Sequence, residues 1–279
     1  MLNVGTICDL SFSRHPQFKS YFYALEKMFG SVKLVNGKSD LLGIDILVVG
    51  DDHYEPHRNI LQSTGFIECC NTLGIKVVVL TTEATLNSRF PWDIKTLDYL
   101  SQINMLYHFT ADVDDCIALG IKVHRISISC NYENIYSYSD KKNKAVFIGS
   151  MGTHYEERKA TLEFLNKAIN IDIIRAGVPT WMDYMKILSQ YRFVLSPIGC
   201  GNFLPTRFYE ALAVGSIPIQ QVRNNTLDYY DIEKGFDDCI FFENPSEVQQ
   251  KIKECSLPVS HNRLWTEDNL KIIFEDVQI

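Results

Sequence analysis

The feature that most constrains the fold of this chain is the stretch at residues 191–219, YRFVLSPIGCGNFLPTRFYEALAVGSIPI. An apolar segment ending at Pro197 predicts a β-strand, and two glycines then flank Cys200. Pro205 opens a segment of helical pattern, Gly215 ends it, and a further strand follows. A glycine loop between a strand and a helix presents backbone N–H groups at the positive end of the helix dipole. In an open α/β sheet, an anion binds at this position.

Arg207 and Glu210 lie three residues apart and therefore share one face of the predicted helix. An arginine in the first turn opposes the helix dipole unless an anion binds against it. Glu210 cannot complete a capping box with Thr206, because the partner in such a box would be Tyr209. Two interpretations stay open from these residues: a solvent-facing ion pair, or an anion site built on the glycine loop.

The ordered motifs of this stretch resemble the nucleotide-sugar site of GT-B glycosyltransferases, and most of all that of exostosin-type enzymes. The pattern of that family is a strand with Phe-x-Leu-x-Pro, a glycine pair, Arg-x-x-Glu-Ala and a closing Gly-x-x-Pro. The matching positions are Phe193, Leu195, Pro197, Gly199, Gly201, Arg207, Glu210, Ala211, Gly215 and Pro218. The resemblance covers residues 144–221. It implies that Arg207 clamps a diphosphate and that Glu210 accepts hydrogen bonds from ribose hydroxyls.

A second glycine loop begins with Gly149 and Ser150, after a predicted strand at residues 144–148, and the helix predicted next carries Arg158. It resembles the opening of the exostosin-type donor domain. The loop amides and the guanidinium suit the distal phosphate of a bound nucleotide. The alternative is a plain βα turn followed by a surface arginine. Two such loops at the carboxyl ends of parallel strands favour a site.

Strands alternate with helices in both halves of this 279-residue chain, which predicts two domains with mostly parallel sheets covered by helices on both faces. One of these helices is predicted over residues 56–73. We expect an α/β GT-B fold with three parts. They are an acceptor-binding Rossmann-like domain at residues 1–135, a nucleotide-sugar-binding Rossmann-like domain at 136–258, and a C-terminal helix at 259–279. The resemblance implies that the two sheets face a central cleft and that the helix crosses back to the first domain.

Composition and charge argue against several other classes of protein. A net charge of −7 and a pI of about 5.5 disfavour a nucleic-acid binder. No apolar run reaches transmembrane length, and the N-terminal residues MLNVGTICDL have no basic region typical of a signal peptide. The eight cysteines are scattered without a CxxC pair, which indicates reduced thiols. We therefore expect a soluble, cytoplasmic protein without a membrane anchor, whereas exostosin-like enzymes of animals and plants usually carry one.

The string Asp112-Val-Asp114 matches the metal-binding DxD motif of the other large glycosyltransferase fold. Here it begins a predicted helix, where acidic residues complement the dipole. We therefore predict no catalytic metal and no cofactor other than the donor substrate.

An inverting transfer needs a base at the carboxyl end of a first-domain strand, facing the donor loops. The candidates are Asp9, His15, Asp51, Asp52, His53 and Glu83. Glu83 follows the most apolar predicted strand, where desolvation can raise the pKa of a carboxyl group. Its Thr-Glu-Ala context is similar to a Ser/Thr-Glu segment that follows a strand in fucosyltransferases of the same fold. We expect Glu83 to be the base, with Asp51 as the next candidate.

The resemblance implies an inverting, metal-independent transfer of a sugar from a UDP-sugar donor to a hydroxyl of a glycan acceptor. The short form without an anchor is similar to exostosin-like xylosyltransferases of large algal viruses, which favours xylose and, for a viral protein, the host cytoplasm. Two alternatives stay open. One is a UDP-sugar 2-epimerase of the same fold, and the other is a nucleotide-sugar-binding module that lacks the base.

Overall fold

The chain divides into two compact units, Met1–Ser129 with Leu264–Ile279, and Cys130–Arg263. The computed structural model describes residues 2–7, 16–50, 55–81, 100–110, 123–125, 140–152, 155–175, 180–199, 204–223, 239–255, 270–271 and 274–275. Among these residues, no helix is long and apolar enough to cross a membrane.

The first unit is built on a parallel sheet of six described strands in the order β2-β1-β3-β4-β5-β6. The strands are β1 (Val4–Ile7), β2 (Val32–Leu34), β3 (Ile46–Gly50), β4 (Lys76–Thr81), β5 (Leu106–Thr110) and β6 (His124–Arg125). The described helices are α1 (Pro16–Phe29), α2 (Glu55–Leu61) and α3 (Phe66–Leu73), and a 3-10 turn covers Lys38–Leu41.

Strand β4 is apolar from Val77 to Leu80 because both of its faces are buried. Val77 and Val79 face one hydrophobic cluster, whereas Val78 and Leu80 face the cluster on the opposite side, and all four are completely buried. Leu270 and Phe274 belong to the same cluster as Val78 and Leu80. The C-terminal residues therefore pack within the first unit.

The single helix predicted over residues 56–73 was wrong, because two helices occupy this segment. Gly65 lies between them, at the N-cap of α3, with a φ of 76° in the left-handed region that a continuous helix does not contain. Phe66 and Cys70, on α3, are buried in the core. The apolar pattern runs through both helices, so periodicity alone does not reveal the break.

The second unit contains a parallel sheet of five described strands in the order β11-β10-β9-β7-β8. The strands are β7 (Lys142–Gly149), β8 (Ile171–Arg175), β9 (Tyr191–Ser196), β10 (Ile217–Gln221) and β11 (Ile240–Phe242). The described helices are α4 (Glu156–Ala168), α5 (Trp181–Ser189), α6 (Thr206–Ala213) and α7 (Val248–Glu254), with a 3-10 turn at Pro245–Glu247. The predicted order of strand, helix and strand over residues 191–219 is confirmed, whereas residues 200–203 of the glycine loop lie outside the described part of the chain.

Helices cover both faces of this second sheet. Phe147 packs with residues of α4 and α7, while Val146 and Ile148 pack with residues of α5 and α6. Thr180 caps α5, because its hydroxyl accepts a hydrogen bond from the backbone N–H of Asp183.

Lys141 ties the ends of α5 and α6 together. Its Nζ donates to the carbonyl oxygens of Ser189 at 2.7 Å and Val214 at 2.8 Å. Both carbonyls lie at helix C-termini, where a cation is favourable. This contact fixes the spacing of α5 and α6. Tyr184 on α5 and Arg207 on α6 belong to the site described next.

Candidate functional site

The strand order of the second sheet reverses between β7 and β9. From β7 the chain moves to β8 on one side, whereas β9, β10 and β11 lie on the other. Strands β7 and β9 pair in parallel, with Val146 opposite Val194, so their carboxyl ends meet at one edge of the sheet. Loops that leave an open α/β sheet at such a reversal form a crevice where ligands bind. The two predicted glycine loops begin here, at Gly149 and after Pro197.

Arg207, in the first turn of α6, reaches across to the loop after β7. A methyl group on Gly149 would lie 2.6 Å from Nη2 of Arg207, which is closer than nonbonded atoms approach. The guanidinium therefore occupies the space that a side chain at position 149 would fill. Pro205 supplies no capping hydrogen bond to α6, and the first turn contains no acidic residue. The positive end of the helix and the arginine together form a cationic site.

Arg158, on α4, makes the reciprocal contact with the loop after β9. A methyl group on Gly199 would lie 2.7 Å from Nη2 of Arg158. Nη1 of the same guanidinium donates to the carbonyl oxygen of Ser150 at 3.2 Å. The aromatic ring of Tyr155 stacks on it, with the ring centroid 4.1 Å from Cζ. Arg158 is buried, so the interpretation as a surface arginine after a plain turn is wrong.

The two arginines also share an aromatic neighbour. Cζ of Arg207 lies 4.9 Å from the centroid of the Phe147 ring, and Cζ of Arg158 lies 5.9 Å from it. Two like charges beside one buried ring repel each other, and a bound anion relieves that repulsion. Within the described residues, the buried Nε of Arg207 has no hydrogen-bond partner. This arrangement is typical of a site for a multiply charged anion such as a diphosphate.

Glu210 is buried, so the interpretation as a solvent-facing ion pair is wrong for this residue. Its Oε2 accepts a hydrogen bond of 2.7 Å from the hydroxyl of Tyr184 on α5. Burial, with the nearby charge of Glu210 second, raises the pKa of Tyr184 well above its ordinary value. The hydroxyl therefore keeps its proton at neutral pH and acts as a donor to the carboxylate.

Gln221, the last residue of β10, supports the loop after β9. Its Oε1 accepts from the backbone N–H of Ile198 at 3.2 Å and from the hydroxyl of Thr161 at 3.2 Å. These bonds connect the loop to α4, the helix that carries Arg158. Pro197 is buried at the start of the same loop. The glycine at position 199 is thereby held against the arginine.

The structure brings most of the predicted donor-binding residues together. Gly149, Ser150, Arg158, Pro197, Gly199, Arg207 and Glu210 all lie at the carboxyl ends of β7 and β9 or in the helices that follow. Gly201 and all six candidate bases, with Glu83 and Asp51 first among them, lie outside the described residues, as do Asp112 and Asp114. In the part of the chain that is described, no group of three or more His, Cys, Asp or Glu side chains is placed to hold a metal ion.

The sequence alone did not identify three residues of this site, which are Tyr184, Phe147 and Gln221. Tyr184 alone carried a usable signal, since its helix lies between two predicted strands and a buried tyrosine hydroxyl needs a partner. The roles of Phe147 and Gln221 depend on contacts between distant segments.

Comparisons with known proteins show the fold. No family model matches the chain, and no curated protein sequence matches it. Among solved structures, an α1,3-fucosyltransferase aligns with a TM-score of 0.56 and 14% identity over 99% of this chain and 89% of its own. The enzyme BGT of phage T4, in complex with UDP and Mn²⁺, aligns with a TM-score of 0.55 and 13% identity over 99% and 95%. The DNA-modifying enzyme β-glucosyltransferase aligns with a TM-score of 0.56 and 11% identity over 99% and 94%. The chain therefore has the GT-B fold.

Proposed function

We propose that this protein is a glycosyltransferase that moves a sugar from a UDP-sugar donor to a hydroxyl of a glycan acceptor. The observation that carries the proposal is that each of two arginines contacts the glycine loop that precedes the other arginine. Arg207 lies against Gly149 and Arg158 against Gly199, at the reversal point of the second sheet. The similarity in fold to a fucosyltransferase and to a phage enzyme solved with UDP supports the choice of ligand.

The two guanidiniums act on the diphosphate in this proposal. They and the loop amides stabilise the negative charge that develops on the leaving UDP as the glycosidic bond breaks. Because the two guanidiniums are held in position before the ligand binds, little reorganisation is needed during the reaction. Glu210 holds the ribose through its carboxylate. Glu83 takes the proton of the acceptor hydroxyl, and attack from the opposite face of the sugar inverts the anomeric centre.

The finer assignments belong to the same proposal. Xylose is the proposed donor sugar, on the resemblance of the sequence motifs to exostosin-like enzymes. A glycan is the proposed acceptor, since a net charge of −7 does not favour the approach of a polyanion.

Product analysis tests this proposal against its two rivals. The full chain is incubated with UDP-sugars, UDP-xylose among them, and a panel of glycan acceptors, and the products are identified by mass spectrometry and NMR. We expect a new glycoside with inverted anomeric configuration together with free UDP. A UDP-sugar changed at C2 would identify an epimerase. UDP-sugar binding without any product would identify a binding module, and either result would contradict the proposed transfer.

We expect activity to be nearly unchanged in EDTA. The charge of the diphosphate is met by Arg158 and Arg207 in this proposal, so that no cation is required at the phosphates. The Mn²⁺ in the phage T4 enzyme makes this a necessary test. Initial rates are measured with EDTA and after re-addition of Mg²⁺ or Mn²⁺. A loss that only a metal restores would contradict metal independence and direct attention to Asp112 and Asp114.

A further inference from the structure

Tyr184 interacts with both Glu210 and Arg207, the two residues of α6 that the proposed function assigns to the nucleotide. Its hydroxyl donates to Oε2 of Glu210 at 2.7 Å, and the charge of Arg207 acts on the same hydroxyl. Tyr184 lies on α5, whereas Glu210 and Arg207 lie on α6. The hydroxyl therefore connects the proposed ribose-binding carboxylate and the proposed phosphate-binding guanidinium from a neighbouring helix.

The surroundings of Glu210 explain why such a connection is needed. A buried carboxylate is costly unless hydrogen bonds compensate for the lost water, and its orientation depends on which donors reach it. Arg207 lies one turn before Glu210 on the same helix. If the Tyr184 hydroxyl is removed, the carboxylate can turn towards Arg207 and pair with it, and Arg207 would then leave its position against Gly149.

Packing holds the tyrosine in place. Its ring contacts the hydrophobic cluster that contains Met185 and Leu188 of its own helix and Ala211 of α6. The C-termini of α5 and α6 are both bonded to Lys141, which limits sliding of one helix along the other. The hydroxyl is thus presented to Glu210 from a rigid support, which is the condition for orienting a binding residue.

We propose that Tyr184 is a positioning residue of the nucleotide site: it orients the Glu210 carboxylate towards the ribose hydroxyls and keeps that carboxylate from pairing with Arg207. This inference rests on the proposed function. It concerns recognition of the ribose, and it adds a residue from α5 to a site otherwise built from loops and from α4 and α6.

The test is the discrimination between two nucleotides, UDP and 2′,3′-dideoxy-UDP, measured by titration calorimetry on the full chain. The wild-type protein should prefer UDP, because only UDP offers hydroxyls to Glu210. Tyr184→Phe should lower the affinity for UDP by about 10-fold and should lower the affinity for the dideoxy nucleotide less, so that the preference shrinks. A tyrosine that only fills space would change both affinities by the same factor.

The matched control is Tyr191→Phe. The hydroxyl of Tyr191 also donates to a carboxylate at 2.7 Å, that of Asp172, but Tyr191 begins β9 and so lies at the opposite end of the strand from the glycine loop. This variant loses the same kind of bond and should retain the full preference for UDP. Thermal unfolding checks that both variants are folded.

Because Tyr184→Phe leaves a buried carboxylate without this donor, the variant is also made in a Glu210→Gln background, where the charge is removed. There, adding Tyr184→Phe should leave the nucleotide preference unchanged. An undiminished preference in Tyr184→Phe, or a decrease of equal size in both backgrounds, would overturn the positioning role. Failure of the wild-type protein to bind UDP would instead overturn the proposed function, and this inference with it.

Discussion

Glu83→Gln is expected to lower the rate of sugar transfer by about 10²–10⁴-fold while the affinity for UDP stays at the wild-type value. Glutamine has the shape of glutamate but cannot accept the proton of the acceptor hydroxyl. Strand β4, which ends two residues before Glu83, is completely buried from Val77 to Leu80. The carboxyl group of Glu83 therefore follows the most apolar part of the first sheet, where its pKa is expected to rise into the range useful for a base.

The measurement is the dependence of kcat on pH for the wild-type protein and the variant, with UDP affinity determined separately. Removal of the base should abolish the acidic limb of the profile. Asp51→Asn is the parallel variant, since Asp51 follows β3 in the same way. Normal turnover by Glu83→Gln would contradict the assignment and move the role to Asp51 or Asp9.

Gly149→Ala is expected to weaken UDP binding by about 10-fold or more, because the added methyl group displaces the guanidinium of Arg207. The methyl group would lie 2.6 Å from Nη2 of Arg207, so the guanidinium must move away from the loop. The guanidinium is the end of a flexible side chain, and Gly149 does not have a positive φ. The Phe147 ring, 3.2 Å from the methyl group, needs to shift by only a few tenths of an ångström. The variant should therefore fold normally and lose binding selectively.

A double-mutant cycle makes this test specific. In an Arg207→Ala background, Gly149→Ala should change UDP affinity by no more than about 2-fold, because the side chain that it displaces is absent. Gly152→Ala is the matched control in the same loop, since the one described atom that its methyl group would meet is Ser150 Oγ, at an ordinary 3.6 Å. Equal losses from Gly149→Ala in both backgrounds would show that the glycine acts independently of Arg207.

The local parts of the fold and the site can be predicted from the sequence. Each boundary in residues 191–219 depends on residues next to it: Pro197 ends the strand, Pro205 precedes α6, and Gly215 with a φ of 66° follows it. The same applies to the Thr180 cap of α5. The break at Gly65 could not be predicted in this way, because a glycine inside an apolar periodic segment is compatible with either a continuous or an interrupted helix.

The arrangement of the site depends on contacts between distant segments. The sequence shows that Arg158 and Arg207 each follow a glycine loop, but it does not show that each contacts the loop preceding the other. These contacts, in which each arginine lies against the other's loop, follow from the reversal of strand order between β7 and β9. Tyr184 meets Glu210 for a similar reason, since the contact requires α5 and α6 to cover the same face of the sheet.

Titration of UDP into the wild-type protein and into Arg207→Ala tests most directly the claim that the second unit is a nucleotide site. Calorimetry should show saturable binding by the wild-type protein. The variant should bind about 10–150-fold more weakly, because a charge-assisted contact with phosphate is worth roughly 1.5–3 kcal/mol. Absence of UDP binding by the wild-type protein, or equal affinities for the two proteins, would contradict the account.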